Sequence, residues 1–183
     1  MRLSKLRYYV ASLVTLLRRV RNWPVLFWEL LGLPFGRPYL MKLRDGAMFQ
    51  VRNFMDAWIV KEVYIDRDYE RLGVTIEPGW TVIDIGACLG GFAISAAKRD
   101  SSIKVYACEP APDSYFLLRQ NMALNQVENV TALQVAIAGS DGPLQLYTFS
   151  GHAEQNSLSV TRTHATANAL EVEGLSLATL FER

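Results

Sequence analysis

The sequence contains few of the residues that form disulfides or bind metals. Its 183 residues include two cysteines and two histidines. Cys88 and Cys108 do not form a C-x-x-C pair and have no histidine cluster beside them, so neither a disulfide framework nor a zinc site is expected. Reduced thiols are the normal state in the cytosol. The cysteine content therefore predicts a cytoplasmic protein.

The sequence also lacks a long apolar run. The longest uncharged segment near the N-terminus, residues 8–17, has ten residues. A helix that spans a bilayer needs roughly 20. Arg18, Arg19 and Arg21 follow this segment, at the place where a signal peptide would carry a small-residue cleavage site. We therefore expect neither a transmembrane helix nor secretion.

Acidic residues are scarce in the first quarter of the chain. Residues 1–44 contain nine Lys and Arg side chains and one acid, Glu29, whereas the rest contains ten bases and seventeen acids. The net charge of the whole chain is only +1. This asymmetry predicts a basic arm, residues 1–38, attached to a mildly acidic domain, residues 39–183. The turn-rich segment 32–38 is the predicted linker between them.

The basic arm has the periodicity of an amphipathic helix over residues 3–21. Its apolar stripe consists of Leu3, Leu6, Val10, Leu13, Val14, Leu17 and Val20. One interpretation is that the stripe packs against the domain or against a partner subunit. The other is peripheral contact of residues 3–28 with an anionic membrane surface, with Trp23, Phe27 and Trp28 as interfacial anchors.

Two elements are predicted between the linker and residue 78. Asp45 and Gly46 are a hairpin turn signal between segments 41–43 and 47–52. Residues 56–73 begin with the apolar spacing of a helix and become polar toward their end.

From residue 78 onward, predicted strands and helices alternate. The strands are at residues 81–85, 103–108, 130–138 and 144–149, and the helices at 92–98 and 113–124. Asp113 is the predicted cap of the second helix. Residues 150–169, rich in small polar side chains, are a predicted loop. This order of elements with short connections predicts an α/β fold with a parallel sheet.

The turn after the first predicted strand has the composition of a cofactor loop. Gly86 and Gly90 lie beyond the carboxyl end of that strand, where ligands bind in open α/β sheets and where glycine permits close backbone approach. Asp84, near the strand end, is placed to face the positive end of a cofactor. Glu109, which ends the next strand, is placed to accept both hydroxyls of a ribose. Together these residues predict an adenosine-type cofactor.

The choice of cofactor depends on what the loop lacks. A nicotinamide site favours G-x-G-x-x-G, but residues 86–91 have Cys88 where the second glycine would stand. Asp84 would also repel a pyrophosphate, whereas it suits the sulfonium and amino-acid end of S-adenosylmethionine. The residues therefore favour S-adenosylmethionine over NAD.

The segment D-I-G-A-C-L-G-G-F at residues 84–92 resembles the first motif of the FkbM-type family of methyltransferases, commonly D-x-G-A-N-x-G. The resemblance covers roughly residues 40–183 and includes segments 62–64, 105–110, 121–130, 136–147 and 156–158, together with Tyr69. Cys88 departs from the family, which usually has Asn there.

This resemblance implies a Rossmann-like class I methyltransferase sheet with helices on both faces. It also implies O-methylation of a hydroxyl on a sugar or natural product, and nucleic-acid binding is not expected. The cofactor-binding residues that it implies are Asp84, Gly86, Ala87, Cys88, Gly90, Glu109, Pro110 and Ala136. His152, in the predicted loop, is the candidate general base.

The C-terminal residues 175–183 resemble the segment that leads into the family's next core strand. Without that strand, the sheet is expected to be incomplete on its C-terminal side, and strand 82–85 is expected to have an open edge. The sequence therefore predicts the N-terminal part of a longer methyltransferase. The alternative is a non-catalytic binding module that docks through its basic N-terminal helix.

Overall fold

The computed structural model describes residues 2–31, 38–71, 73–149 and 167–182. The strands are β1 Tyr39–Lys42, β2 Met48–Val51, β3 Thr81–Ile85, β4 Lys104–Cys108, β5 Val130–Leu133, β6 Ala136–Ala138, β7 Gly142–Phe149 and β8 Ala167–Ser176. The α-helices are α1 Arg2–Arg19, α2 Pro24–Leu30, α3 Phe54–Val60, α4 Gly91–Ala97, α5 Pro112–Leu124 and α6 Leu177–Glu182.

The N-terminal helix is present as predicted, but most of its predicted stripe is exposed, and Val20 at the C-terminal end of the stripe is the member that is fully buried among the described residues. α1 buries Ser12 and Leu16 against the rest of the protein, while Leu6, Val10 and Leu17 of the stripe are exposed. The interpretation that the stripe packs against the domain is therefore wrong for most of its length. The physical reason is that the opposite face of α1 carries the polar and apolar groups that fit the neighbouring helical turn.

The arm and the following residues share one hydrophobic cluster. Leu16 of α1 and Leu26 of α2 are fully buried together with Met41 and Phe49 of the hairpin. The backbone also connects them, because Val20 forms an isolated bridge with Leu43. The division of the chain at residue 38 stays a prediction.

The hairpin forms where the Asp-Gly signal predicts it. β1 and β2 are antiparallel, and Tyr39 pairs with Val51. Gly46, in the connecting turn, has a φ of 93°, a conformation in which glycine carries no steric cost. The strands alternate buried and partly buried side chains, so one face of the hairpin joins the core.

The predicted helix at 56–73 begins earlier and changes type along its length. Asn53 caps α3, since its side chain accepts a hydrogen bond of 2.9 Å from the backbone N–H of Asp56. The helix then widens into a π-helical turn at Lys61–Ile65, and a short 3₁₀ helix follows at Asp68–Glu70.

The main sheet has the order β3-β4-β5 and is parallel throughout, as predicted. Alternate side chains point to its two faces. Val105 and Ala107 pack with α4 and α5 on one face, whereas Tyr106 joins a cluster with Leu180 of α6 on the other. The fold is α/β, with helices on both faces of a Rossmann-like sheet.

The predicted strand at 130–138 is two strands in different sheets. β5 pairs with β4, whereas β6 pairs with β8 in a second sheet of order β6-β8-β7. Gln134 and Val135 lie between them, and Val135 is buried beneath the main sheet. The apolar run continues through this change of partner, so sequence periodicity does not reveal it. β8 also begins inside the predicted loop 150–169, at Ala167.

The start of α5 differs from the prediction. Pro112 is the first helical residue and Ala111 is the N-cap, so Asp113 lies inside the first turn and does not cap the helix. Proline is favoured at the first helical position, because the N–H that it lacks would have no partner within the helix. Asp113 still favours the helix through the dipole of its N-terminus.

β3 lies at the edge of the main sheet in the part of the chain that the structure describes. The last residue of β3, Ile85, is 57% exposed, and Trp80, which directly precedes the strand, is also exposed. This arrangement agrees with the open edge that we expected for strand 82–85. No helix within the described ranges is long and apolar enough to cross a bilayer.

Candidate functional site

The turn between β3 and α4 is built from left-handed backbone conformations. Gly86 has a φ of 78° and Gly90 a φ of 88°, which side chains rarely adopt. The backbone N–H groups of Gly86 and Ala87 both donate to the carbonyl oxygen of Cys108, at 2.9 and 3.0 Å. The turn is therefore held against the carboxyl end of β4.

Two glycines at the start of α4 are required by close packing. A Cβ atom on Gly90 would lie 2.6 Å from Leu118 Cδ1, and one on Gly91 would lie 2.5 Å from Val63 Cγ2. A larger residue at either position would force the side chain of Leu118 or Val63 to move. The glycines thus let the turn, the helix and its neighbours meet at one place.

Glu109 bridges the start of α5 and the turn at residues 86–90, which we call the cofactor turn because the sequence predicts that it binds the cofactor. Its Oε2 accepts a 2.8 Å hydrogen bond from the backbone N–H of Cys88, and its Oε1 accepts a 2.9 Å bond from that of Ala111. Burial raises the pKa of this carboxyl, while the two backbone hydrogen bonds oppose the increase. A carboxylate has about four acceptor positions, so each oxygen keeps capacity for another donor.

Asp84 lies beside Ala107 in the register of β3 and β4. Burial and, to a smaller extent, the charge of Glu109 raise the pKa of its carboxyl to about 6, although a hydrogen bond from the backbone of Ala93 opposes the increase. Its Oδ2 is buried and has no hydrogen-bond partner among the described residues. A buried acceptor without a partner is costly, and a cationic ligand would relieve that cost. Asp84 and Glu109 therefore fit S-adenosylmethionine.

Cys88 contributes to the turn through the conformation of its backbone. Its φ of 50° is left-handed, a region in which Asn is several-fold enriched over other non-glycine residues. This conformation gives a physical reason for the Asn of the resembling motif. The thiol packs at the edge of the cluster that contains Leu89. Burial raises its pKa to about 12, so the group stays protonated.

The remaining predicted residues have different positions. Pro110 follows Glu109 and is half-buried. Ala136, at the start of β6, is buried in a cluster with Ala111, which places it near the α5 side of the turn. His152 lies outside the described residues. No group of metal-ligating side chains is found in the ranges that the structure describes.

Asn121 is a site residue to which sequence reasoning gave no role. Its fully buried side chain donates to the carbonyl oxygen of Leu89 at 2.9 Å and accepts from the backbone N–H of Gln50 at 2.6 Å. It thereby connects the cofactor turn to β2. The available signal was a polar residue on the inward face of a predicted helix.

An ion pair between the partly buried Arg52 and the buried Asp56 also adjoins the site. Arg52 donates from Nε and Nη2 to the two carboxylate oxygens of Asp56, at 2.8 and 3.0 Å, and from Nη1 to Ser114 Oγ at 3.2 Å. Asp56 and Ser114 are each 2% exposed. This pair connects the end of the hairpin to α5. Its only sequence signal was the four-residue spacing of opposite charges.

The family model for the TRM5/TYW2 methyltransferase domain matches residues 51–140, just under half of the chain. That range contains the turn, both carboxylates and the helices that hold them. The chain carries an S-adenosylmethionine-dependent methyltransferase domain. The prediction that the cofactor is S-adenosylmethionine is confirmed, whereas the roles of Asp84 and Glu109 stay predictions.

Curated relatives of this methyltransferase domain include "Methyltransferase sdnD" of Sordaria araneosa, 30% identical over 113 residues, which are 61% of this chain and 43% of that protein. The "31-O-demethyl-FK506 methyltransferase FkbM" of Streptomyces tacrolimicus is 35% identical over 88 residues, 48% of this chain and 34% of that protein. A Saccharomyces cerevisiae "tRNA (guanine(37)-N(1))-methyltransferase" is 41% identical over 61 residues, 33% of this chain and 12% of that protein. The chain thus matches less than half the length of each.

Among solved structures, TYW2 of M. jannaschii in complex with AdoMet is 26% identical, with a TM-score of 0.41. The match covers 55% of this chain and 45% of that one. The family model and the curated relatives support a methyltransferase family without singling out the FkbM type.

Proposed function

We propose that the protein transfers a methyl group to a hydroxyl oxygen of a small molecule, such as a sugar or a natural product, in the cytoplasm. The observation that carries this proposal is the similarity to the Streptomyces enzyme, whose name describes methylation of an oxygen on a natural product. The motif at residues 84–92 supports the same acceptor class. The chain spans less than half the length of these relatives.

S-adenosylmethionine, when bound, supplies a methyl group on a positively charged sulfur. In our proposal Glu109 accepts hydrogen bonds from the ribose hydroxyls with the acceptor positions that Cys88 and Ala111 leave open. Asp84 faces the cationic end of the cofactor with its unpartnered oxygen. The turn at residues 86–90 brings backbone close to the ligand, since its glycines carry no side chain.

The other residues of the proposed pocket act by shape. Ala87, Pro110 and Ala136 present small or rigid surfaces on either side of Glu109, and Cys88 offers its backbone N–H. His152 stays the candidate base that would take the proton of the acceptor hydroxyl. Positioning of the two reactants accounts for most of the rate in such a transfer, so the base is expected to add less than the pocket does.

Calorimetry tests the pocket. We expect S-adenosylhomocysteine to bind the chain, and Glu109→Ala to weaken binding at least about tenfold, because two hydroxyls lose a charged acceptor. Glu128→Ala, at an exposed position, is the matched control and should bind as the parent does. Equal affinities of the Glu109 variant and the parent would contradict the assignment of Glu109.

Acceptor assays test the reaction class. Purified protein with methyl-labelled S-adenosylmethionine should label hydroxylated sugars or macrocycles, and the product should resist the mild base that cleaves methyl esters. Binding of the cofactor without transfer to any acceptor would favour the alternative, a non-catalytic module that docks through its basic N-terminal helix.

A second candidate is methylation of tRNA. It is favoured by the match to the TRM5/TYW2 domain and by the yeast relative that acts on guanine 37. The two candidates differ in their acceptor, so a tRNA transcript in the same labelling assay separates them. Labelling of the tRNA that disappears on nuclease treatment would contradict the hydroxyl proposal and support tRNA as the acceptor.

A further inference from the structure

The orientation of α1 is set by contacts on its inner face. Lys61 Nζ, in the π-helical turn, donates to Ser12 Oγ at 2.7 Å and pairs with Asp66 at 2.7 Å. Its ammonium also lies 4.7 Å from the ring centre of Tyr8. Leu16 is fully buried on the same side. These contacts determine which face of α1 is turned outward.

The outward face of α1 is apolar. Leu6 is 60% exposed, Val10 53%, Val14 38% and Leu17 36%. At about 100° per residue, these four side chains fall within an arc of about 80°. A continuous exposed apolar stripe of this kind is unusual on a protein surface and marks an interaction site.

Exposed aromatic and aliphatic side chains continue after α1. Trp28 of α2 is 53% exposed, Leu31 is 75% exposed, and Trp23 between the helices is also exposed. Tryptophan is enriched at membrane–water interfaces, since its ring is apolar and its N–H is polar. α2 therefore adds the residue type that anchors a helix at a lipid headgroup layer.

Positive charge accompanies the stripe. Arg7 and Arg18 are exposed and lie about 60–80° from its centre on one side, and Arg21 is exposed just beyond the helix. Residues 1–44 contain one acid, Glu29, whose carboxylate accepts a 2.6 Å hydrogen bond from Tyr39. The surface around the stripe is thus basic, and a matching partner is anionic.

The stripe lies on the outermost helical layer. α1 packs on the π-helical turn, that turn packs on α4, and α4 packs on β3 and β4. The exposed edge of β3 belongs to the sheet and not to this layer. The stripe, on the opposite face of α1 from the contact between Lys61 and Ser12, is therefore turned away from the π-helical turn.

We propose that α1 and α2 dock the protein on an anionic phospholipid surface, with the stripe in the apolar boundary and the arginines at the headgroups. A helix with an apolar face and flanking Arg residues binds in this manner without crossing the bilayer. Nucleic acid fits less well, since exposed Leu and Val side chains offer nothing to phosphates. This docking goes beyond the methyl transfer and does not depend on it.

Vesicle sedimentation with the whole chain tests the docking. The parent should bind phosphatidylserine-containing vesicles at least about tenfold more tightly than pure phosphatidylcholine vesicles, and salt should weaken the binding. The Val10→Gln/Leu17→Gln variant should bind at least about tenfold less. Phe116→Gln, an equally exposed apolar site on α5, is the matched control and should bind as the parent does.

The charge contribution has its own pair of variants. Arg18→Gln should weaken binding to anionic vesicles about fivefold, while Arg119→Gln, exposed on α5, should not. All of these positions are exposed, so thermal unfolding should show every variant folded. The proposal is overturned if anionic vesicles do not bind the parent at low salt. It is also overturned if the Val10→Gln/Leu17→Gln variant dissociates a dimer without losing vesicle binding. Binding of tRNA through the stripe by a protein that does not bind vesicles would overturn it as well.

Discussion

The side-chain amide of Asn121 donates to the carbonyl oxygen of Leu89 over 2.9 Å. The same side chain accepts from and donates to the backbone of Gln50, at 2.6 and 3.2 Å. The side chain of this buried α5 residue therefore satisfies the backbone N–H and carbonyl groups of Gln50 in β2, and it also binds the turn that precedes α4. This amide therefore hydrogen-bonds both to the hairpin and to the cofactor turn.

Asn121→Ala is expected to lower the free energy of unfolding by about 2–3 kcal/mol, because it leaves buried backbone groups without partners. It should also weaken binding of S-adenosylhomocysteine, since the turn loses a support. Urea denaturation and calorimetry measure the two effects. Arg119→Ala, exposed on the same helix, should change stability by less than about 0.5 kcal/mol. A variant as stable as the parent would show that water replaces the amide.

The raised pKa of Asp84 predicts a dependence of stability on pH. The folded protein holds this proton more tightly than the unfolded chain does, so the stabilisation is complete below about pH 4 and is lost as pH rises through about 6. The free energy of unfolding should fall by about 1–3 kcal/mol over that interval. Asp84→Asn should remove this part of the profile, and Asp113→Asn, at an exposed site, should keep it.

Cofactor affinity should have the opposite dependence on pH. The cationic end of S-adenosylmethionine favours the ionised carboxylate of Asp84, so affinity should increase as pH rises through about 6. Calorimetric titrations of the parent and of Asp84→Asn on both sides of that pH measure the difference. An increase of equal size in both proteins would assign the effect to another group.

The C-terminus of α5 offers a stabilising substitution. Gln126 has a φ of 54°, and the bonds from Gln126 N to Ala123 O and from Val127 N to Met122 O form a Schellman motif. Glycine avoids the cost of this conformation, so Gln126→Gly should raise the free energy of unfolding by about 1 kcal/mol. Glu128→Gly, where φ is not positive, should lower it slightly. The two denaturation midpoints should therefore move in opposite directions.

Lys61 gives a test of how α1 is attached. Its side chain is 1% exposed and pairs with Asp66, so Lys61→Met should lower the free energy of unfolding by about 2–4 kcal/mol. Lys104→Met, on the exposed side of β4, should have little effect. Unfolding should stay a single transition, because Leu16 shares a core with Phe49. Separate transitions for α1 and the remainder would instead support the division at residue 38.

Local chemistry was sufficient to predict the centre of the site. Gly86 and Gly90 adopt the positive φ values for which glycine is suited, and short, mostly apolar runs predict β3 and β4. Asp84, in β3, and Glu109, directly after β4, lie near the carboxyl ends of neighbouring parallel strands because their spacing matches one strand–helix–strand unit. Each of these features lies within one strand–helix–strand unit, so the order and spacing of residues in that unit are sufficient to predict the turn and the two acids beside it.

Tertiary packing decided the rest. The apolar run at 130–138 belongs to two sheets, and the stripe of α1 faces outward while Ser12 and Leu16 face the core. Periodicity shows that side chains share a face, but only the neighbouring surface determines which face is covered. For Asn121, the partners are Gln50 and Leu89, distant in sequence. The sequence by itself determined the cofactor turn, and the three-dimensional arrangement decided what holds that turn and which surface is left exposed.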